Sequence, residues 1–344
     1  SIIPYTHEEI DLLLRTVRDK DYNEKFTFKG MVSSEQNELT LEFFDAGHIL
    51  GSAGILIKSP HGKSVYYTGD VNLAPQSILN GGELPDEKVD TLILETTYGA
   101  TDSKILKSWE KEEIRLAKYL NKILIKGGSI LIPVFALGKT QEILSTLFGL
   151  MKKGILAETN IYSGGISKEI SSVYDKNRYK VKRKNKNFEL KEIAQINLYD
   201  IKDINEFRRN PRIVLASSGM MIKGTKSYEL MKSWVKFEDF GIVIAGYMDE
   251  ESPGYIFSKS KKGDVVKIPG IDEEIKINCS VEKFYFPSHS KREDLINIVD
   301  KLKPEKIILI HGDPEAIDWV GHNILTKFKG VKLFVAEKGK FLDV

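Results

Sequence analysis

Residues 43–57 read FFDAGHILGSAGILI, a stretch that begins and ends as a strand and breaks in the middle around one histidine. Gly47 precedes His48 and Gly51 follows it, so the backbone can turn there in ways a side chain would resist. The flanking runs are NELTLEFFD (37–45) and AGILIKSPHGKSVYYTGD (53–70), the second of them folded at the turn SPHGK (59–63). Their pattern predicts antiparallel hairpin structure for this part of the chain.

Further along, the pattern changes. TLILE (91–95), SILIPV (129–134), RIVLAS (212–217), GIVIAG (241–246) and KIILIH (306–311) are short apolar runs rich in Ile, Leu and Val. Such runs read as buried strands of an α/β sheet. Helical patterns alternate with them. SWEKEEIRLAKYLNKILIKGG (108–128) and GKTQEILSTLFGLMKKG (138–154) each end on glycine, as a helix C-terminus prefers, and KREDLINIVDKLK (291–303) is a third. The chain therefore reads as antiparallel β, then α/β, then a short β segment and a return to α/β.

The 344 residues suffice for a large core and two domains. A net charge of +2 gives no global attraction to nucleic acid, which leaves only a local basic patch. The single cysteine, Cys279, excludes an intramolecular disulfide and a cysteine-built zinc site, and it suits a reducing cytoplasm. No apolar run reaches the length of a membrane span, and the first residues do not form a signal peptide.

There are six histidines. His61 falls in the turn SPHGK and reads as surface. His7 falls in a first helical turn, and His322 is expected at another helix start; both read as structural or solvated. The other three have a different setting. His48 follows a strand between glycines, His289 lies in YFPSHSKRED after a strand, and His311 ends KIILI before GDP. Asp70 ends SVYYTGD and Glu95 ends TLILE. Any one of these, taken alone, is more simply a structural residue. All five at strand ends would converge on one edge of a sheet, where α/β folds assemble their sites. Histidine and aspartate suit zinc with an open water position, which points to a metal hydrolase that needs further ligands.

At this point the residues match a family. DAGHILGSAG, YTGDVN, ETTYG, PSHS and IHGD occur in that order, with IPVFALGKTQEIL and LASSGMMIKGTKSYELMKSW between the third and fourth. Together with the opening PYTHEEIDLLL, they resemble the β-CASP group of metallo-β-lactamase-fold nucleases, which includes the cleavage and polyadenylation specificity factor endonuclease and RNase J. The resemblance covers essentially the whole chain. It implies an α/β protein: a metallo-β-lactamase αββα sandwich, truncated at its N-terminus, with an inserted α/β β-CASP domain. The expected boundaries are 1–105 for the first part of the sandwich, 106–262 for the insert and 263–344 for the return.

The resemblance also implies roles. His48 is then a ligand of one zinc, Asp70 bridges two zincs and His311 is a ligand of the second. His289 stands at the scissile phosphate as general acid, and Glu95 orients it by a hydrogen bond. The family's HxHxDH block is expected before the first motif seen, but no two histidines here are closer than eleven residues. The expectation is that the missing N-terminal segment holds the remaining ligands and that this stretch alone binds zinc weakly. PSHSKRED also departs from the family's usual SAHxD, keeping the histidine.

Two small-residue junctions are candidates for phosphate binding. Ser217, Ser218, Gly219 and Met220 join a strand to a helix, where backbone N–H groups bind phosphate, with a plain turn as the alternative. SGGISKEIS (163–171) has the same character, with Lys168 placed to reach a phosphate. KNRYKVKRKNKN (176–187) carries seven Lys or Arg, either a solvated face or an RNA backbone contact.

Three functions remain open on sequence. The first is a zinc-dependent phosphodiesterase acting on single-stranded RNA as endonuclease or 5′→3′ exonuclease. The second is a catalytically inactive β-CASP scaffold or RNA-binding partner of an active paralogue; a homodimer is open under either reading. The third is a small-molecule hydrolase, which the residues between Glu95 and His289 argue against, since simple hydrolases lack such a cap.

Overall fold

The computed structural model describes residues 5–29 and 38–342. The first four residues, including the Pro4 that opens one matching motif, lie outside them. The chain opens with α1 (His7–Leu14), capped by Thr6, then β1 (Lys25–Lys29), β2 (Glu38–Asp45), β3 (Ala53–Lys58), β4 (Ser64–Tyr67) and β5 (Thr91–Glu95). The expected hairpin is present: β2, β3 and β4 run antiparallel, and His61 is exposed in the turn between β3 and β4.

An α/β insert follows. It comprises α2 (Trp109–Leu124), β6 (Ile130–Pro133), α3 (Lys139–Lys152), β7 (Ile161–Ser163), α4 (Ile166–Lys176), β8 (Gln195–Asn197), α5 (Glu206–Arg209), β9 (Ile213–Ala216), α6 (Lys226–Trp234), β10 (Gly241–Ile244) and α7 (Pro253–Lys259). The hairpin β11 (Val265–Lys267) and β12 (Glu274–Lys276) leads to β13 (Ser280–Lys283). The chain then returns through α8 (Arg292–Leu302), β14 (Lys306–Ile310), α9 (Pro314–Lys327) and β15 (Lys332–Val335).

Two sheets organise the molecule. The first has seven strands in the order β1-β2-β3-β4-β5-β14-β15, antiparallel at the start and parallel from β4 onward. Apolar residues of α8 and α9, such as Leu295, Val299, Val320 and Ile324, bury against Leu92, Leu94, Ile307 and Leu309. Among the described residues this unit supplies one sheet and one helix layer of the expected sandwich. The second sheet has the order β13-β10-β6-β9-β7-β8 and is parallel throughout. Strand β6 is wholly buried, and alternation sends its side chains to opposite faces. Ile130 and Ile132 join the core with α2 and α3, and Leu131 joins the core with α6. Because β13 pairs with β10, the insert's sheet draws in residues beyond the expected boundary at 262/263.

One histidine sits differently than expected. His322 lies inside α9, whose start is set by Asp313 and Pro314, since proline at the first helical position needs no N–H partner. Cys279 is fully buried, and burial pushes its thiol up to about 12. Among the described residues no helix is long and apolar enough to cross a membrane.

Candidate active site

The parallel pairing of β5 with β14 sets Glu95 beside Ile310, so the residues just past both strands meet at one sheet edge. Thr96 N–H donates to the His311 carbonyl at 3.2 Å, and Thr96 Oγ1 to the Ile310 carbonyl at 3.1 Å. His311 is thereby held in the left-handed region, with φ +50°.

The loop after β2 carries His48. Gly47 has φ +70°, and a Cβ there would lie 2.2 Å from Gly82 N and 2.4 Å from the Asn72 carbonyl. Only glycine lets this loop press so closely on residues 72–82. Asp45 accepts the Gly47 N–H at 2.9 Å, and Asn72 N–H donates to the Ala46 carbonyl at 2.8 Å. The Asp70 loop and the His289 loop are stitched together in turn: Ser290 N–H reaches the Val71 carbonyl at 2.7 Å, and Leu73 N–H reaches Ser290 Oγ at 3.1 Å.

Glu95 stands at the centre. Its carboxylate is 1% exposed; Oε1 accepts from His289 Nδ1 at 2.9 Å and from Val71 N–H at 3.0 Å, and Oε2 accepts from Thr97 N–H at 2.9 Å. Burial alone would raise the carboxyl, but the hydrogen bond and charge of His289 and the bonds of Thr97 hold it below the usual carboxylate range. Nδ1 of His289 is committed to Glu95, so Nε2 is the ring nitrogen that this bond leaves available.

His48 has the complementary arrangement. Its Nδ1 lies 2.7 Å from the Ser288 carbonyl, which can only accept, so Nδ1 carries the proton and Nε2 keeps its lone pair. Burial, followed by the nearby His289, pulls this imidazole below the ordinary histidine value. Asp70 lies between the two outer histidines. Its Oδ2 is 3.8 Å from His48 Nε2 and its Oδ1 is 3.1 Å from His311 Nδ1. The His289 ring sits 4.5 Å from that of His48 and 6.0 Å from that of His311.

This donor set fits zinc. Tetrahedral ligands at about 2.1 Å from the ion stand roughly 3.4 Å apart, and the two Asp70 contacts bracket that spacing. Each Asp70 oxygen faces a different histidine, as a bridging carboxylate would. Two clusters, His48–Asp70–His289 and Glu95–His289–His311, bring their donor atoms within 4.8 Å of one another.

The histidines form one wall of a cavity of about 760 Å³. Phe135, Leu137, Met220 and Tyr247 of the insert also line it, with Tyr98 and Lys139. The Tyr98 ring meets His289 edge-on at 5.9 Å, and burial pushes its hydroxyl up to about 12, which keeps it a donor.

A family model described as the Beta-Casp domain matches residues 140–256, and one described as the Zn-dependent metallo-hydrolase RNA specificity domain matches 274–336. The RNase J-like protein of Methanocaldococcus jannaschii is 30% identical, over 98% of this chain and 82% of its own length. The chain belongs to the β-CASP family of metallo-β-lactamase-fold nucleases. Its β-CASP relatives also include cleavage and polyadenylation specificity factor subunit 3 of Dictyostelium discoideum, 29% identical over 90% of this chain, and Integrator complex subunit 11 of Danio rerio, 27% identical over 88%. The chain spans only 39% and 50% of those two relatives.

In this β-CASP protein the structure brings His48, Asp70, Glu95, His289 and His311 together. Of the phosphate-binding candidates, Met220 lines the cavity; Ser217, Ser218, Gly219 and Lys168 do not. Ser218 serves its own turn, with Oγ accepting from Ile222 N–H at 3.1 Å, and Lys168 is exposed on α4. In the basic run 176–187 three of the seven cations pair with carboxylates, Arg178 with Glu189, Lys180 with Asp19 and Lys182 with Glu83, and Arg183 is buried against the Tyr174 carbonyl. That favours the solvated-face reading over an RNA contact. Sequence reasoning gave no role to Tyr98, Lys139 or Tyr247. The first two lay in quoted motifs, ETTYG and FALGKTQE, which were the signal available for them.

Proposed function

We propose that this protein is a metal-dependent RNA phosphodiesterase of RNA processing, with His48, Asp70 and His311 as ligands of two zinc ions. The observation that carries the reading is Asp70 set between His48 and His311, with the Glu95-held His289 against both. Divalent zinc at these donors would supply Lewis-acid stabilisation of the phosphoryl charge and a water of lowered pKa. His48 offers Nε2 because Ser288 takes the Nδ1 proton. Glu95 fixes the His289 ring through Nδ1, which leaves Nε2 as the atom that would donate to the leaving oxygen. Phe135 and Tyr247, each 40% exposed and lining the same cavity, offer aromatic rings to unpaired bases, which suits single-stranded RNA. Catalytic zinc ordinarily has three protein ligands. Each ion here would have one histidine and the shared aspartate, so we take the full ligand set to include donors beyond these three.

The presence of all five residues in one ordered constellation supports catalysis over a scaffold role. The test is cleavage of end-labelled single-stranded RNA by the zinc-loaded full-length protein and by His289→Ala. Cleavage abolished by the substitution is expected. No cleavage by either, or equal cleavage by both, would overturn the reading.

A further inference from the structure

The segment between β4 and β5 reaches across to the insert. Glu142 of α3, fully buried, accepts from Ile78 N–H at 2.6 Å through Oε2 and from Leu79 N–H at 3.2 Å through Oε1. Ser77 Oγ meets Ser145 Oγ at 2.9 Å. Leu79 and Arg183 form an antiparallel bridge, flanked by Lys184 N–H to the Ile78 carbonyl at 3.0 Å and Asn80 N–H to the Lys182 carbonyl at 3.1 Å. All of these partners belong to the insert.

Gln76, at the head of this strap, faces the other way. Its side-chain amide, 1% exposed, donates to the Gly47 carbonyl at 3.0 Å and to the His48 carbonyl at 2.9 Å. The strap closes on itself through Gln76 N–H to the Leu79 carbonyl, 2.9 Å. The same His48 loop touches the insert directly: Leu50 N–H donates to Tyr174 Oη of α4 at 3.0 Å. Ile49 fills the space beside Gly138, where a Cβ would come within 2.3 Å of its Cγ2.

We infer that the seating of the insert on the first sheet and the placement of the His48 imidazole are coupled through this strap, with Gln76 and Glu142 as positioning residues. Buried hydrogen bonds of this kind cannot slide without leaving groups unpaired. A shift of α3 moves residues 77–79, which move Gln76, which moves the carbonyls on either side of the His48 Cα. The ring then shifts against the Ser288 carbonyl that fixes its Nδ1. The inference rests on the proposed reading only in what His48 is for.

The test uses the full-length protein and two readouts, amide hydrogen exchange by segment and the side-chain NMR signals of labelled histidine. Glu142→Gln alters bonds to residues 77–79, and its hydrogen bonds do not include residues 46–52. It is expected to speed exchange at 46–52 by about threefold or more and to move the His48 ring signals. Gln76→Leu should do the same, and the double variant should add less than the sum. A rise confined to 77–80, with the His48 signals unmoved and β5 and β14 equally protected, would overturn the coupling. If Glu142→Gln does not fold, Ser145→Ala removes one bond on the same side and is read in the same way. Loss of zinc binding in the unsubstituted protein would strike the reading of the site and leave the coupling standing.

Discussion

The Glu95 carboxylate accepts Nδ1–H of His289 at 2.9 Å from a position 1% exposed to solvent. One buried anion thus fixes a ring that is itself only 13% exposed, and the same carboxylate terminates the N–H groups of Val71 and Thr97. Two variants separate these duties. Glu95→Gln keeps one acceptor oxygen and loses the charge beside the imidazole, so it serves one of the two backbone N–H groups and leaves the other facing the amide nitrogen. Cleavage by single-turnover kinetics should fall about 10–100-fold, with stability lowered by about 1–3 kcal/mol for that one N–H. Glu95→Ala should in addition cost about 1–3 kcal/mol for each N–H left unpaired, read by thermal unfolding.

Metal stoichiometry tests the shared carboxylate. With Asp70 between the two histidines, Asp70→Ala in the zinc-loaded full-length protein should lose both ions together. His311→Ala should lose one. Native mass spectrometry counts them directly, and equal losses in the two variants would contradict a bridging Asp70.

The aromatic wall makes a different prediction. In a His289→Ala background, Phe135→Ala or Tyr247→Ala should weaken binding of a short single-stranded RNA by about 1–3 kcal/mol for each stacked base lost. An abasic oligonucleotide of the same length should bind the parent and the variants alike. Fluorescence anisotropy at fixed salt reads both.

Lys139 and Glu142 give the protein an unusual pH response. Burial raises the Glu142 carboxyl from 4.5 to about 7, against the bonds from Ile78 and Leu79. Burial lowers the Lys139 ammonium from 10.5 to about 8, against Glu142. For Glu142 the folded state binds the extra proton between these values, so its contribution is lost as pH rises from about 4.5 to 7. For Lys139 the unfolded state binds the extra proton, so stability is regained as pH rises from about 8 to 10.5. The pair therefore places a minimum near neutral pH, with each limb worth at most about 3 kcal/mol. Subtracting the pH–stability curve of Glu142→Gln from that of the parent should isolate the acid limb. A flat difference between pH 4.5 and 7 would contradict it.

Gly47→Ala should be among the most damaging single substitutions. It forces an L-residue to φ +70° and drives a methyl into the backbone of Gly82, a cost of about 3 kcal/mol or more. Thermal unfolding reads the loss.

Much of this site was legible in the sequence because strand ends are local signals. TLILE coincides with β5, and the runs ending near His48, Asp70 and His311 each ended a strand or turned just after it. In the first sheet β2, β4, β5 and β14 point one way and bring four of the residues to one edge, while His289 arrives from beyond β13 of the second sheet. Tyr247 was not legible in this way. It sits in GYMDEESPG, which reads as an acidic loop, and it reaches the cavity only because β10 pairs with β6, over a hundred residues away in sequence. The basic run 176–187 stayed open between a solvated face and an RNA contact for a related reason. Two of its partners, Glu83 and Asp19, lie far away in sequence, so their pairing shows only once the chain is folded. The extent of the insert was also hidden, because SVEK (280–283) has no pattern of its own and becomes a strand by pairing with β10.

The burial of Cys279 has a practical consequence. A thiol with no exposed surface and a raised pKa does not compete for maleimide dyes. The chain is thus chemically silent as it stands, and one cysteine introduced on α4 with another on α9 would report the distance between insert and first sheet without background. Single-molecule energy transfer between such a pair would show whether that distance changes when RNA binds.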